Sequence, residues 1–140
     1  MNDLISSMQA THPREFTVGG SAVDPAALAE CLAACVECAQ TCTTCADACL
    51  SEDMVADLVG CIRLNATCAD ICAATASVLS RRPEGDAAYL RSLLEACRDV
   101  CERCAQECGS HAEMHEHCKV CAEACRRCAK ACADLLSALG

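Results

Sequence analysis

The chain has 140 residues, enough for one domain with a continuous core, and carries 18 Cys against a single Phe, a single Tyr and no Trp. Its net charge of -9 opposes nucleic-acid binding, which works by neutralising phosphates with Lys and Arg, and equally disfavours an anionic membrane surface. No bilayer-spanning apolar run stands out, and the opening MNDLISSMQATHPREFTVGG shows neither a basic-then-apolar export signal nor a twin-arginine pair, so a cytoplasmic location with reduced thiols is expected.

Residues 1–12 read as a short helix with Leu4, Ile5 and Met8 on one side, and Pro13 to Val23, with the Gly19–Gly20 pair, as a linker or wrapped loop. The expected organisation is therefore a short helix and linker over 1–23 and a helical domain over 24–140. Asp24 followed by Pro25 is an N-cap and first-turn signal for a helix over 25–50. The polar turn Ser51–Glu52–Asp53 leads into a second helix over about 53–81. Arg82–Pro83–Glu84–Gly85 breaks it, a third helix covers 86–108, and Gly109–Ser110 interrupts again. The fourth helix starts between His111 and Glu116 and ends near Leu139. No segment shows strand alternation, and short connections make neighbouring helices antiparallel. The expected fold is all-α, an up-down-up-down four-helix bundle with a short N-terminal helix.

In the first long helix Cys31, Cys35, Cys38, Cys42, Cys45 and Cys49 step alternately by four and three. The second continues the rhythm with Met54, Leu58, Cys61, Asn65, Cys68, Cys72, Thr75 and Leu79. The third gives Leu90, Leu94, Cys97, Cys101, Cys104 and Cys108, and the fourth Cys118, Cys121, Cys125, Cys128, Cys132 and Leu135. This is the heptad stripe that faces a bundle axis, and every cysteine lies on it. Charged residues such as Arg98, Glu102, Lys119, Arg126 and Lys130 fall off it, as a solvated face should.

Free Cys behaves as a small hydrophobe in cores, but 18 on one stripe bury less apolar surface than Leu would and add oxidation risk. Helical period also lacks the irregularity of a disulfide framework. Metal explains the pattern better, since soft thiolates select Cu(I), Zn(II) and iron–sulfur clusters. Zinc and iron–sulfur sites draw their cysteines largely from turns and loops. Here eight CxxxC pairs sit inside helices, at 31/35, 38/42, 45/49, 68/72, 97/101, 104/108, 121/125 and 128/132. Residues i and i+4 stack one turn apart, so each pair can clamp an ion that accepts two or three ligands, and the pairs are expected to act semi-independently. One Cu(I) per thiolate would also leave the interior neutral, whereas four thiolates per Zn(II) would leave each site with two negative charges. The reading is a tube that fills with cuprous ions.

With serial CxxxC pairs on all four helices and the cluster HAEMHEHC before the last, the chain from about Asp24 to Leu139 resembles the bacterial copper storage proteins, in their signal-less cytosolic branch. The resemblance implies a homotetramer of four-helix bundles, each storing many Cu(I) ions along its axis, with His and Met residues at the open end. Asn65 and Thr75 depart from it, occupying stripe positions where a fully loaded pattern would carry Cys.

Antiparallel topology gathers Met54, His111, Met114, His115 and His117 at one end, and Leu28, Leu79, Leu90, Leu94 and Leu135 at the other as an apolar plug. Cys61 and Cys118, the two cysteines outside the pairs, both lie on the His/Met half, which suggests mixed Cys/His sites near that mouth. His111 and His115, spaced i,i+4 beside Cys118, are expected to be ligands together with the 18 cysteines. Met54 and Met114 are weaker candidates, Met54 serving equally well as core packing. His117 steps off the stripe and is expected to face solvent. Asn65 is read as a buried amide that donates and accepts locally, with a carbonyl-oxygen ligand as the other option. No Gly-rich phosphate loop, HExxH or GxSxG is present, so no enzyme is expected. The competing reading is a zinc buffer or a thiol redox sensor.

Overall fold

The computed structural model describes residues 3–139. A short helix α1 (Asp3–Ala10) leads to two-residue strands β1 (Thr17–Val18) and β2 (Ser21–Ala22), then to α2 (Pro25–Leu50). A 3₁₀ turn (Val55–Leu58) precedes α3 (Val59–Ser80), and α4 (Ala88–Gly109) and α5 (Glu116–Ala138) complete a four-helix bundle. Helix α2 packs on α3 and α5, and α4 packs on α3 and α5, the neighbour pattern of an up-down-up-down bundle.

The helix boundaries follow local chemistry. Asp24 caps α2 by accepting the Ala26 N–H through its Oδ1 at 3.1 Å, and Pro25 occupies the first turn, where its missing N–H costs nothing. The turn at 51–53 ends α2 without capping the next helix: the chain passes through Met54 and the 3₁₀ turn, and no side-chain cap bond starts α3. Helix α4 ends at Gly109, one residue past the expected Cys108, with Ser110 as its C-cap donating its N–H back to the last turn. The stretch Val55–Ser80 has the length and composition to cross a membrane. Here its Cys61, Cys68 and Cys72 face is buried in the bundle.

Strands β1 and β2 form a small hairpin, Thr17 opposite Ala22 and Val18 opposite Ser21. Gly19 and Gly20 make its turn at φ +59° and +85°, the left-handed conformation a two-residue hairpin connection demands. Alternation over two residues is too short to see in a sequence. The hairpin segment is part of the packed core rather than a loose linker: Phe16, Val18 and Val23 are buried in one cluster with Leu28 and the core of the bundle.

All 18 cysteines are buried, as are Asn65 and Thr75, and so are Leu28, Leu79, Leu90, Leu94 and Leu135. The stripe therefore lines the bundle axis, in the second long helix from Leu58 onward, and the scarcity of aromatic residues is offset by a column of sulfur.

Candidate metal centre

Helical stacking places thiols one turn apart, and antiparallel packing sets each turn beside those of its neighbours. The sulfurs consequently meet across helices as much as within them. Cys42 Sγ lies 3.6 Å from both Cys121 and Cys125 Sγ, and 3.8 Å from its own pair partner Cys38. Cys72 Sγ is 3.5 Å from Cys101 and 3.8 Å from Cys97, and Cys61 Sγ is 3.5 Å from Cys108. Several groups of four ligand atoms lie mutually within 4.8 Å: Cys35/Cys97/Cys128/Cys132, Cys38/Cys72/Cys101/Cys128, Cys38/Cys42/Cys68/Cys125, Cys42/Cys104/Cys121/Cys125 and Cys45/Cys49/His117/Cys118. Cys38, Cys42, Cys125 and Cys128 each belong to two of these groups. Shared membership links four of these groups to one another, while the Cys45/Cys49/His117/Cys118 group at the mouth has no member in common with them.

The thiols hydrogen-bond one another, and this splits their acidities. Contact with Cys132 brings Cys31 down to about 5, contact with Cys101 brings Cys38 down to about 6, and contact with Cys108 brings Cys45 down to about 5. Each becomes a thiolate solvated by a protonated neighbour. Their pair partners move the other way: Cys35 is held protonated by its bond to Cys128, Cys42 by its bond to Cys104, and burial pushes Cys49 up to about 12. The column can thus offer thiolates to an incoming cation without ionising every sulfur at once, which the low-dielectric interior would forbid.

Asn65 sits among these sulfurs as a buried amide. Its Oδ1 accepts from Cys104, Cys108 and Cys121 at 3.0, 3.3 and 3.3 Å, and its Nδ2 donates to Cys61 at 3.5 Å. Thr75 turns its hydroxyl to the Ile71 carbonyl at 2.7 Å, which satisfies it without the core.

At the mouth the histidines divide differently from the sequence expectation. His117 is not turned to solvent: its Nδ1 lies 3.4 Å from Cys45 Sγ and 3.7 Å from Cys118 Sγ, while its Nε2 is 2.8 Å from the Glu52 carboxylate. A carboxylate on one ring nitrogen fixes the tautomer and aims the other nitrogen's lone pair at the site, the arrangement usual for metal-binding imidazoles. Burial opposes the charged ring, but the contacts with Cys45 and Glu52 outweigh it and raise the His117 pKa above its ordinary value. One cue was local, the adjacency of His117 to Cys118; the other, Glu52, is 65 residues away and visible only in the fold.

His115 stacks on His117 with ring centroids 5.5 Å apart and places Nδ1 3.1 Å from the same Glu52 carboxylate. His111 bonds Glu107 at 3.0 Å through Nε2. Both line the mouth on carboxylates, one step outside the sulfurs. Met54 and Met114 are exposed, at 51% and 67% of their surface, and lie outside the buried column.

Comparison with known proteins now bears on this geometry. A sequence model of the family described as copper storage protein matches residues 24–137. The copper storage protein Ccsp from Streptomyces lividans, solved with 10 copper equivalents, is 53% identical over 96% of this chain and 99% of its own, with a TM-score of 0.89. Cu(I)-bound BsCsp3 from Bacillus subtilis is 39% identical over 75% of this chain and 93% of its own, with a TM-score of 0.67. A cysteine-rich Bacillus subtilis protein, YhjQ, is 39% identical over 36 residues, 26% of this chain and 32% of that protein.

Proposed function

We propose that this chain, which belongs to the copper storage protein family, holds many Cu(I) ions along its core, about one for each of the 18 cysteine thiols, with the cysteines as ligands. One observation carries the reading: all 18 thiols are buried along one axis, and four of the four-sulfur groups they form are linked by shared sulfurs. Shared thiolates suit a soft ion that accepts few ligands and tolerates bridging. An ion that replaces a thiol proton leaves the local charge unchanged, one that joins an existing thiolate neutralises it, and the displaced protons leave toward the mouth.

His117 completes the outermost group with Cys45, Cys49 and Cys118, and His111 and His115 pass copper inward from the carboxylate-rimmed rim. Met54 and Met114, being exposed, serve as soft first contacts for the ion. The role is storage rather than turnover. Streptomyces Ccsp is described as cytosolic, which supports a cytoplasmic site of action for this chain as well. A homotetramer, with the short segment 1–23 and the bundle 24–140 as its repeating parts, completes the reading.

A second reading has its own observation. Any one four-sulfur group also fits a tetrahedral zinc ion, with Zn–S near 2.3 Å. Titrating the reduced, metal-free chain with Cu(I) and separately with Zn(II) decides between them. Saturation near one Cu(I) per thiol is the expected outcome; four or five tightly held Zn(II), with Cu(I) uptake stopping at the same number, would make the protein a zinc buffer.

A further inference from the structure

The leucine end is closed by more than leucines. We propose that residues 9–24 form a releasable cap over that end, latched by Arg82, and that its opening exposes a second port to the thiol column; only the identity of what passes depends on the copper reading. Arg82 is 6% exposed, and its side-chain hydrogen bonds all reach the N-terminal segment. Nη1 donates to the Arg14 carbonyl, and Nη2 donates to the Gln9 carbonyl at 2.9 Å and to Gln9 Oε1 at 3.0 Å. Arg14 answers by donating Nη2 to the carbonyls of Arg81 and Arg82 at 3.1 and 2.6 Å, and Gly19 N–H reaches the Gly85 carbonyl at 3.1 Å.

Three features make this a latch rather than a weld. The buried guanidinium is held by neutral oxygens, and its Nε has no partner among the described residues, so opening returns a cation to water and offsets much of the lost bonding. Arg82 adopts φ +47°, a left-handed conformation uncommon for a residue with a Cβ. The segment meets the bundle along a partly open pocket of about 300 Å³ lined by Gln9, His12, Arg14, Phe16, Leu28 and Arg82. Phe16, Val18 and Val23 are the segment's buried apolar anchors. Below them comes the leucine layer, and one turn deeper Cys31, whose Sγ is 3.9 Å from Cys132, so a single layer of leucines separates the cap from the terminal thiols of the column.

Arg82→Gly removes the latch and relieves the backbone conformation, so the bundle itself keeps its fold. In the reduced, metal-free full chain, alkylation of Cys31 and Cys132 by iodoacetamide, mapped by peptide mass spectrometry, should then rise about tenfold or more, while Cys49 and Cys118 at the other end react as before. Unchanged labelling of Cys31 and Cys132 would overturn the proposal. A uniform rise over all 18 cysteines would overturn it too, since Arg82 would then support the whole bundle. The unaltered protein gives a second measurement: the Gly19 and Val23 amides should exchange with deuterium at least about tenfold faster than those of Cys35 and Cys38. Equal protection would mean that the segment does not open apart from the bundle. Neither measurement uses metal, so a failure of the copper titration would leave this result standing.

Discussion

The two ends of the bundle solve opposite problems with the same helical frame. At the mouth, His111, His115 and His117 are half-buried and tied to the carboxylates of Glu107 and Glu52. At the other end, Leu28, Leu79, Leu90, Leu94 and Leu135 are fully buried and lie under the hairpin segment. Polar groups that bond through carboxylates can rearrange around an ion at little cost, whereas a leucine layer loses apolar burial with every gap opened in it. The difference teaches that the mouth is built for exchange as it stands, whereas the leucine end is held shut by packing and becomes a route only when its cap is released.

The largest expected effect breaks that division where it is most costly. Leu90→Ala should destabilise the reduced, metal-free chain by about 3 kcal/mol in urea unfolding followed by dichroism, through lost burial and a residual cavity. Replacing His111 and His115 together by Ala should cost only about 1 kcal/mol, the loss of part-exposed bonds to Glu107 and Glu52 without a core cavity. A loss from the histidine pair as large as that from Leu90 would erase the contrast.

The next effect is kinetic and runs the other way. Replacing His111 and His115 together by Leu should slow Cu(I) loading and its removal by a chelator severalfold in stopped flow, while final capacity stays within about two ions. If those rates were unchanged and alteration of the Leu79/Leu90 layer slowed them instead, ions would travel through the opposite end.

The same two ends show what can be read from residue order alone. The alternating three-and-four step carries the phase of each helix, which is why the burial of all 18 cysteines, Asn65, Thr75 and the leucine layer agrees with the stripe. Asp24–Pro25 announces the start of α2 because capping is a local interaction. What escaped was non-local. His117 lies one position off the stripe, yet at the first turn of α5 it reaches inward because Glu52, from the α2–α3 connection, holds its outer nitrogen. The Arg82 bonds to Gln9 and Arg14 span 73 and 68 residues. The connected sulfur groups depend on which turns of different helices fall level, and period within one helix does not set that.

The smallest effect concerns the contact that the residue order hid. Glu52 accepts from His117 at 2.8 Å; that bond lowers the Glu52 pKa from its ordinary 4.5 and helps raise that of His117 from 6.5. A raised histidine pKa contributes stability that is complete below pH 6.5 and fades as pH climbs through the folded value. A lowered carboxylate pKa contributes stability that is complete above pH 4.5 and fades as pH drops through the folded value. The pair therefore acts most strongly between those two ionisations. In Glu52→Gln the carboxamide still occupies the position, but it no longer favours the imidazolium, so the His117 pKa should fall. Imidazole nitrogen shifts of the reduced, metal-free chain, followed by NMR against pH, report this directly. The same substitution should weaken Cu(I) at the outermost group about tenfold in chelator competition, because the ring loses the partner that orients Nδ1 toward Cys45 and Cys118. Deeper sites, more than a turn away among the sulfurs, should keep their affinity. An unchanged His117 titration together with unchanged outer-site affinity would show that Glu52 merely neighbours the ring, and would return His117 to the solvent-facing role that its position off the stripe implies.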